Sequence, residues 1–236
     1  MNRYRVTVPA GRAEEALARM LELFPQGVER EDGDDLVTIA GYAEEPPAAG
    51  LECEPVVEGW EDAWRAFHRP VVVAGLWIGP PWCEPVEPAV VIDPGSAFGT
   101  GGHGSTRAAL ELLPRLPRGP LLDLGCGSGV LSVAAVRLGF EPVQAFDLDP
   151  LAVAATATNA KRNGVDVVAG RADVLADPLP GAPAWIANLE LPLIERLLRR
   201  PDVPPVLVVS GLLASQTVGG GERVEVDGWA AELIRR

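Results

Sequence analysis

Residues 121–150 read LLDLGCGSGVLSVAAVRLGFEPVQAFDLDP. Leu121 to Leu124 is an apolar run with Asp123 set in it, and it leads into Gly125, Gly127 and Gly129. Apolar residues at helical spacing follow, and then a second short apolar run ends on Asp147. This pattern predicts a strand, a tight glycine turn, a helix, and a second strand with a carboxylate at its tip. Glycines in such a turn let backbone come close to a ligand, and the carboxylate accepts hydrogen bonds from ribose hydroxyls. Asp147 lies 22 residues after Gly125, near the roughly 20 that this geometry requires. The unit reads as an adenosine site.

Which adenosine ligand it takes turns on the third glycine. A dinucleotide turn is G-x-G-x-x-G, whose last glycine packs a helix with its N-terminus facing a pyrophosphate. Here that place is Val130, and Gly129 comes one residue early. Asp123, two residues before Gly125, would repel a pyrophosphate but suits an ammonium group. S-adenosylmethionine carries an α-ammonium, a sulfonium and an adenosine, and no phosphate. The pattern therefore favours it over NAD or FAD. Gly125, Gly127 and Gly129 would then form the cradle, Asp123 would face the ammonium directly or through water, and Asp147 would hold the ribose. Asp173, in the segment RADVL, has two open readings: a partner for the adenine amino group, or a plain helix cap.

Bulk properties narrow the class. The net charge of −13 argues against a non-specific nucleic-acid binder, which needs a basic face to displace counterions. Most of these charges read as solubility, and they are compatible with a basic protein substrate and a cationic cofactor. No apolar stretch approaches the roughly 18–20 residues of a membrane span, and the first residues lack a secretion signal. A soluble cytoplasmic protein is expected. Cys53, Cys83 and Cys126 are widely spaced and form no C-x-x-C pair, and His68 and His103 are the only histidines. Neither a disulfide framework nor a metal site is expected. Cys126 reads as a small buried residue rather than a nucleophile.

Along the chain, 3–8, 11–24, 28–30 and 36–40 read as strand, helix and hairpin, a βαββ piece. A Pro- and Glu-rich stretch follows at 43–50. The expected organisation is a small substrate-recognition domain at 1–45, a linker with a short Trp60–Trp64 helix at 46–88, and a catalytic domain at 89–236. Within the last, DPGSAFGTGGHGST (93–106) is a glycine-rich loop and 107–116 a helix. Strands at 121–124, 142–146, 165–169, 184–189 and 206–210 alternate with helices at 130–138, 150–163 and 190–200. That alternation implies an α/β fold with a doubly wound, mostly parallel sheet and ligands at the carboxyl ends of its strands. Residues 222–235 suggest a closing antiparallel pair.

Four stretches together resemble one family: the W-x-x-x-W segment at Trp60 and Trp64, the loop DPGSAFGTGGHGST, the turn DLGCGSG with DLDP and NAKRNG behind it, and ANL followed by SGLLASQ. Over roughly residues 60–216 the chain resembles the ribosomal protein L11 methyltransferases, which are class I S-adenosylmethionine-dependent enzymes with a Rossmann-like sheet and a small N-terminal α+β domain. The resemblance implies cofactor contacts from Phe98, Gly99, Thr100, Thr106, Gly125 and Asp147. It places Asn188 at the end of the fourth strand, beside both cofactor and methyl acceptor. It also implies a ribosomal protein substrate, free or on the ribosome, with neither nucleic acid nor membrane as a direct partner. The sequence departs from the family in three places. His103-Gly104-Ser105-Thr106 stands where H-P-T-T or H-E-T-T is common. Leu189-Glu190-Leu191-Pro192 stands where small or aromatic residues are usual. Thr217 to Glu222, with three consecutive glycines, replaces a helix. These departures keep open a methyltransferase for another protein or a small molecule, or a binding module without catalysis.

Methyl transfer from a sulfonium is an in-line displacement needing an acceptor held about 3–3.5 Å away, and it needs no metal. An amine acceptor must be neutral to attack, although a free lysine has a pKa near 10.4. The side-chain oxygen of Asn188 can orient a neutral amine, which makes it the candidate catalytic residue; a strand-end turn is its plainer reading. His103 reads as a packing or capping residue before a general base. The segment 99–104 reads as a lid.

Overall fold

The computed structural model describes residues 2–24, 28–33, 35–43, 50–55, 68–94, 99–219 and 221–236. The Trp60–Trp64 segment and Phe98 lie outside the described residues. The chain divides into two compact units, Met1–Phe67 and His68–Arg236.

In the first unit, alternation of apolar and polar residues produces strand β1 (Asn2–Pro9), followed by helix α1 (Ala13–Leu23) and strands β2 (Glu29–Asp32) and β3 (Leu36–Ala43). Tyr4, Met20, Phe24, Val37 and Ile39 form its core. A further strand, β4 (Glu52–Pro55), pairs antiparallel with β1, so the sheet order is β2-β3-β1-β4. Its sequence ECEP carries no apolar alternation and does not read as a strand. Cross-strand charges hold it instead: Arg5 meets Glu52 at 2.9 Å and Arg3 meets Glu54 at 3.3 Å. A short charged strand is also a common way to end a sheet.

The second unit begins with a small sheet of β5 (Val71–Val73), β6 (Leu76–Gly79) and β7 (Ala89–Val91). Ala74 and Gly75, both at positive φ, turn the β5–β6 hairpin, as a primed two-residue turn requires. The large sheet comprises β8 (Leu121–Leu124), β9 (Val143–Asp147), β10 (Val167–Arg171), β11 (Ala184–Asn188), β12 (Val206–Leu213), β13 (Glu222–Val226) and β14 (Trp229–Arg235), in the order β10-β9-β8-β11-β12-β14-β13. The first five are parallel and β14 runs antiparallel to both its neighbours. Strands β8 and β11 are almost wholly buried apolar runs, as parallel strands covered on both faces must be. The covering helices are α2 (Gly104–Leu112), α3 (Val130–Arg137), α4 (Pro150–Arg162) and α5 (Leu191–Leu197). The order reverses between β8 and β11, which opens a crevice at their carboxyl ends. No helix among the described residues is long and apolar enough to cross a membrane.

Helix α4 starts where expected, and two other boundaries differ for local reasons. Helix α4 starts at Pro150 with Asp149 capping Leu151 N–H at 2.9 Å. Gly164 N–H returns to the Lys161 carbonyl and Val165 N–H to that of Ala160, so β10 starts two residues later than expected. Helix α2 starts three residues early because His103 caps it.

The NAKRNG segment ties the site together. Asn159 Nδ2 donates to the Ser128 carbonyl at 2.9 Å, and its Oδ1 accepts from Asp93 N–H at 3.1 Å. Asn163 pairs with both backbone groups of Val91. Replacing Asn159 by alanine leaves two such groups without a partner. It should lower unfolding free energy by about 2 kcal/mol or more, read by thermal or denaturant unfolding; an unchanged midpoint would refute this brace.

Candidate functional site

The glycine turn is built from backbone bonds. Gly125 and Cys126 N–H both donate to the Phe146 carbonyl, at 2.8 and 3.1 Å. Gly127 N–H donates to Asp147 Oδ2 and Asp149 N–H to Oδ1, each at 3.0 Å. The carboxylate is thereby fixed at the tip of β9, and each oxygen keeps a lone pair for a ligand. Gly125 has φ +77°, a conformation that glycine adopts at little cost, and an added Cβ would approach Leu189 to 2.5 Å.

These elements bound a cleft of about 340 Å³. Of the expected site residues, Gly99, Thr106, Gly125, Gly127, Asp147, Asp173 and Asn188 line it. Cys126, Val130, Leu148, Val174, Leu175 and Leu189 add apolar walls. Asp173 serves locally as a cap, its Oδ1 accepting Leu175 N–H at 2.9 Å, while its position on the wall leaves the adenine reading open. Thr100, Gly129 and Asp123 do not line the cleft. Gly129 instead lets helices approach: a Cβ there would lie 2.9 Å from Thr156 of α4.

Asp123 was expected to face the ligand and lies beneath the turn, with no exposed surface. The strand that carries it is buried on both faces, so its side chain is enclosed as well. Ser132 Oγ donates to Asp123 Oδ2 at 2.5 Å, and Oδ1 has no partner among the described residues. Burial pushes its pKa up to about 7, opposed by the Ser132 bond and assisted by nearby Asp147. The folded pKa exceeds the unfolded value near 3.9. This group's contribution to stability is therefore fully present below pH 4 and is lost as pH rises toward 7. The variant Asp123→Asn cannot ionise, so the stability difference between it and the parent should change across pH 4–7 and level off above. A pH-independent difference in denaturant midpoints would refute this.

A second cavity, of about 360 Å³, adjoins the first and is lined by His103, Ser105, Asn188, Leu189, Glu190, Leu193, Gly211 and Trp229. Asn188, Leu189 and Leu193 wall both. The Asn188 amide Nδ2 donates to Ser105 Oγ at 3.2 Å and Thr106 Oγ1 at 3.4 Å, which leaves Oδ1 as an acceptor. Gly211, at φ +93° in the bulge of β12, makes room for this: a Cβ there would collide with the Leu189 carbonyl and lie 3.1 Å from Asn188 Oδ1. His103 Nδ1 lies 2.8 Å from Ser105 Oγ, and the ring packs on Trp229 with centroids 4.6 Å apart. Burial, together with the Arg107 charge, lowers its pKa. The ring is therefore neutral at pH 7.

Trp229 was not singled out from the sequence, and Glu190 only as part of a stretch that departs from the family. Trp229 arrives on an antiparallel strand far along the chain, and no spacing rule announces it. The hairpin tip that carries Trp229 also accounts for Gly104, since a Cβ at that position would stand 2.5 Å from the Val226 carbonyl. Proline or glutamate has no room there. Arg107 pairs with Asp227 at the same tip. Where a helix was expected after SGLLASQ, Arg223 holds the chain by donating to the carbonyls of Ala214 and Gln216 and to Glu232.

Comparison with known proteins follows the same residues. The family model for ribosomal protein L11 methyltransferase matches residues 44–232. The chain is 39% identical over 203 residues to the ribosomal protein L11 methyltransferase of Synechococcus sp. (strain RCC307), covering 78% of this chain and 66% of that protein. It is 36% identical over 186 residues to the enzyme of that name from Psychrobacter cryohalolentis, covering 67% and 57%. It thus spans about six-tenths of the length of such relatives. Among solved structures, the ribosomal protein L11 methylase of Lactobacillus delbrueckii subsp. bulgaricus superposes with a TM-score of 0.61 at 25% identity, covering 72% of this chain and 98% of that one.

Proposed function

The chain belongs to the ribosomal protein L11 methyltransferase family and has the class I methyltransferase fold, and from that premise we propose that it transfers methyl groups from S-adenosylmethionine to amino groups of a large-subunit ribosomal protein. The cleft suits that cofactor. Its described walls carry the acids Asp147 and Asp173 and no lysine or arginine, which matches a cationic, phosphate-free adenosine. Asp147 would hold the ribose, Asp173 the adenine amino group, and Leu148, Val174 and Leu175 the adenine faces. Gly99 and Thr106 would close over the amino-acid end. Bound there, S-adenosylmethionine supplies an electrophilic methyl group on a sulfonium.

The observation that carries the proposal is Asn188, a wall common to both cavities. Its Oδ1, left free by the bonds of Nδ2, would accept a hydrogen bond from a neutral amine and aim the nitrogen lone pair at the cleft. Leu189, Leu193 and Trp229 exclude water, which disfavours the ammonium form. The first unit, Met1–Phe67, would recognise the substrate protein. The acidic net charge of −13 supports recognition of protein rather than nucleic acid, in the cytoplasm where ribosomes are available.

Incubation with tritiated S-adenosylmethionine and ribosomes lacking their own modification tests this. Label in one large-subunit protein is the expected result. Label confined to small molecules or to another protein would replace the substrate, and no label at all would reduce the chain to a binding module.

A further inference from the structure

The acceptor cavity carries an acid that its family resemblance does not supply. Glu190 stands at the first residue after the Asn188-Leu189 corner, is exposed, and lines the cavity. Its backbone is fixed: the Glu190 carbonyl accepts N–H groups of Leu193 and Ile194 at 2.9 and 3.0 Å, which starts α5. A residue in that capping position commonly turns its side chain back onto the helix. Glu190 does not, for it makes no side-chain capping bond. Its carboxylate also forms no ion pair with another described residue.

Among the described residues lining this cavity, Glu190 alone carries a full charge. His103 is neutral, and Arg107, behind it, is engaged by Asp227. Leu189, Leu193 and Trp229 give the same cavity apolar walls. A single acid among apolar walls matches a solute with a cationic head and an aliphatic stem. Neutral amides and hydroxyls gain nothing from the acid, and anions are repelled.

We propose that Glu190 is the specificity-determining residue of the acceptor cavity, admitting a cationic alkylamine in preference to a neutral or anionic group of the same shape. The proposal rests on the reading of the adjoining cleft as the S-adenosylmethionine site. The carboxylate attracts the ammonium to the cavity, and the amine sheds its proton to water before its nitrogen reaches Asn188. Glu190 is thus a selecting group and takes no part in the displacement.

The test measures binding of N-acetyl-lysine methylamide and of its neutral isostere, N-acetyl-norleucine methylamide, by NMR titration at saturating S-adenosylhomocysteine. The parent protein should prefer the lysine probe about fivefold, the upper range for an exposed charge pair. Salt should shrink that preference. Glu190→Gln should abolish it and Glu190→Lys should reverse it, with S-adenosylhomocysteine affinity unchanged in both. Equal binding of the two probes by the parent would overturn the proposal, and so would a preference that survives in Glu190→Gln. Failure of S-adenosylhomocysteine to bind the parent would instead overturn the cofactor reading beneath it, so the two failures are distinct.

Discussion

Asn188→Ala is expected to lower turnover about a hundredfold or more while S-adenosylhomocysteine affinity stays within a few-fold. The size follows from positioning: displacing a reacting group by about 1 Å can cost a hundredfold in rate. Asn188 is well held for that task. Ser105 and Thr106 take its Nδ2, Ser210 Oγ in turn grips the Ser105 carbonyl at 2.7 Å, and the side-chain-free Gly211 lets the corner approach β12. Asn188 Oδ1 remains as the acceptor proposed to meet the nitrogen. Single-turnover methylation of modification-free ribosomes, beside calorimetry with S-adenosylhomocysteine, separates the two effects. Unchanged turnover would remove Asn188 from the chemistry, whereas a parallel collapse of affinity would make it a cofactor ligand first.

Asp147→Ala should weaken S-adenosylhomocysteine binding by about 1.5–3 kcal/mol, the value of hydrogen bonds to a charged group, or about ten- to 150-fold in Kd. The effect should exceed that of removing any other side chain on the cleft wall. Asp147 does two things at once. On the proposed reading it would present lone pairs to a ribose, and it ties Gly127 N–H and Asp149 N–H to the end of β9. Loss of both backbone bonds loosens the turn as well, so thermal unfolding should be followed alongside calorimetry. An unaltered Kd in a variant that still folds would place the sugar elsewhere.

The cleft was legible in the sequence to the extent that its parts are local. Gly125, Gly127 and Asp147 lie on one strand–turn–helix–strand unit, whose geometry follows from glycine freedom and the spacing of apolar residues. The burial of Asp123 was not legible, because a carboxylate in an apolar strand reads the same whether it faces a ligand or the interior. Packing against α3, which supplies Ser132, encloses it. The close approach of Gly129 to Thr156 was hidden likewise, since Thr156 belongs to a helix 27 residues on. The charged strand β4 was missed because its stability comes from Arg3 and Arg5 on another strand.

By itself, then, the order of residues determined the alternation of strands and helices and the glycine turn that ends at Asp147. These depend on interactions a few residues apart. The second cavity was decided by tertiary structure. It needs Asn188 from β11, Gly211 from β12, His103 ahead of α2 and Trp229 from the antiparallel strand β14. Those residues meet because β14 inserts beside β12 and brings its hairpin tip over Gly104. Chain reversal at that hairpin, and the exclusion of any larger side chain beneath it, are matters of volume between distant segments.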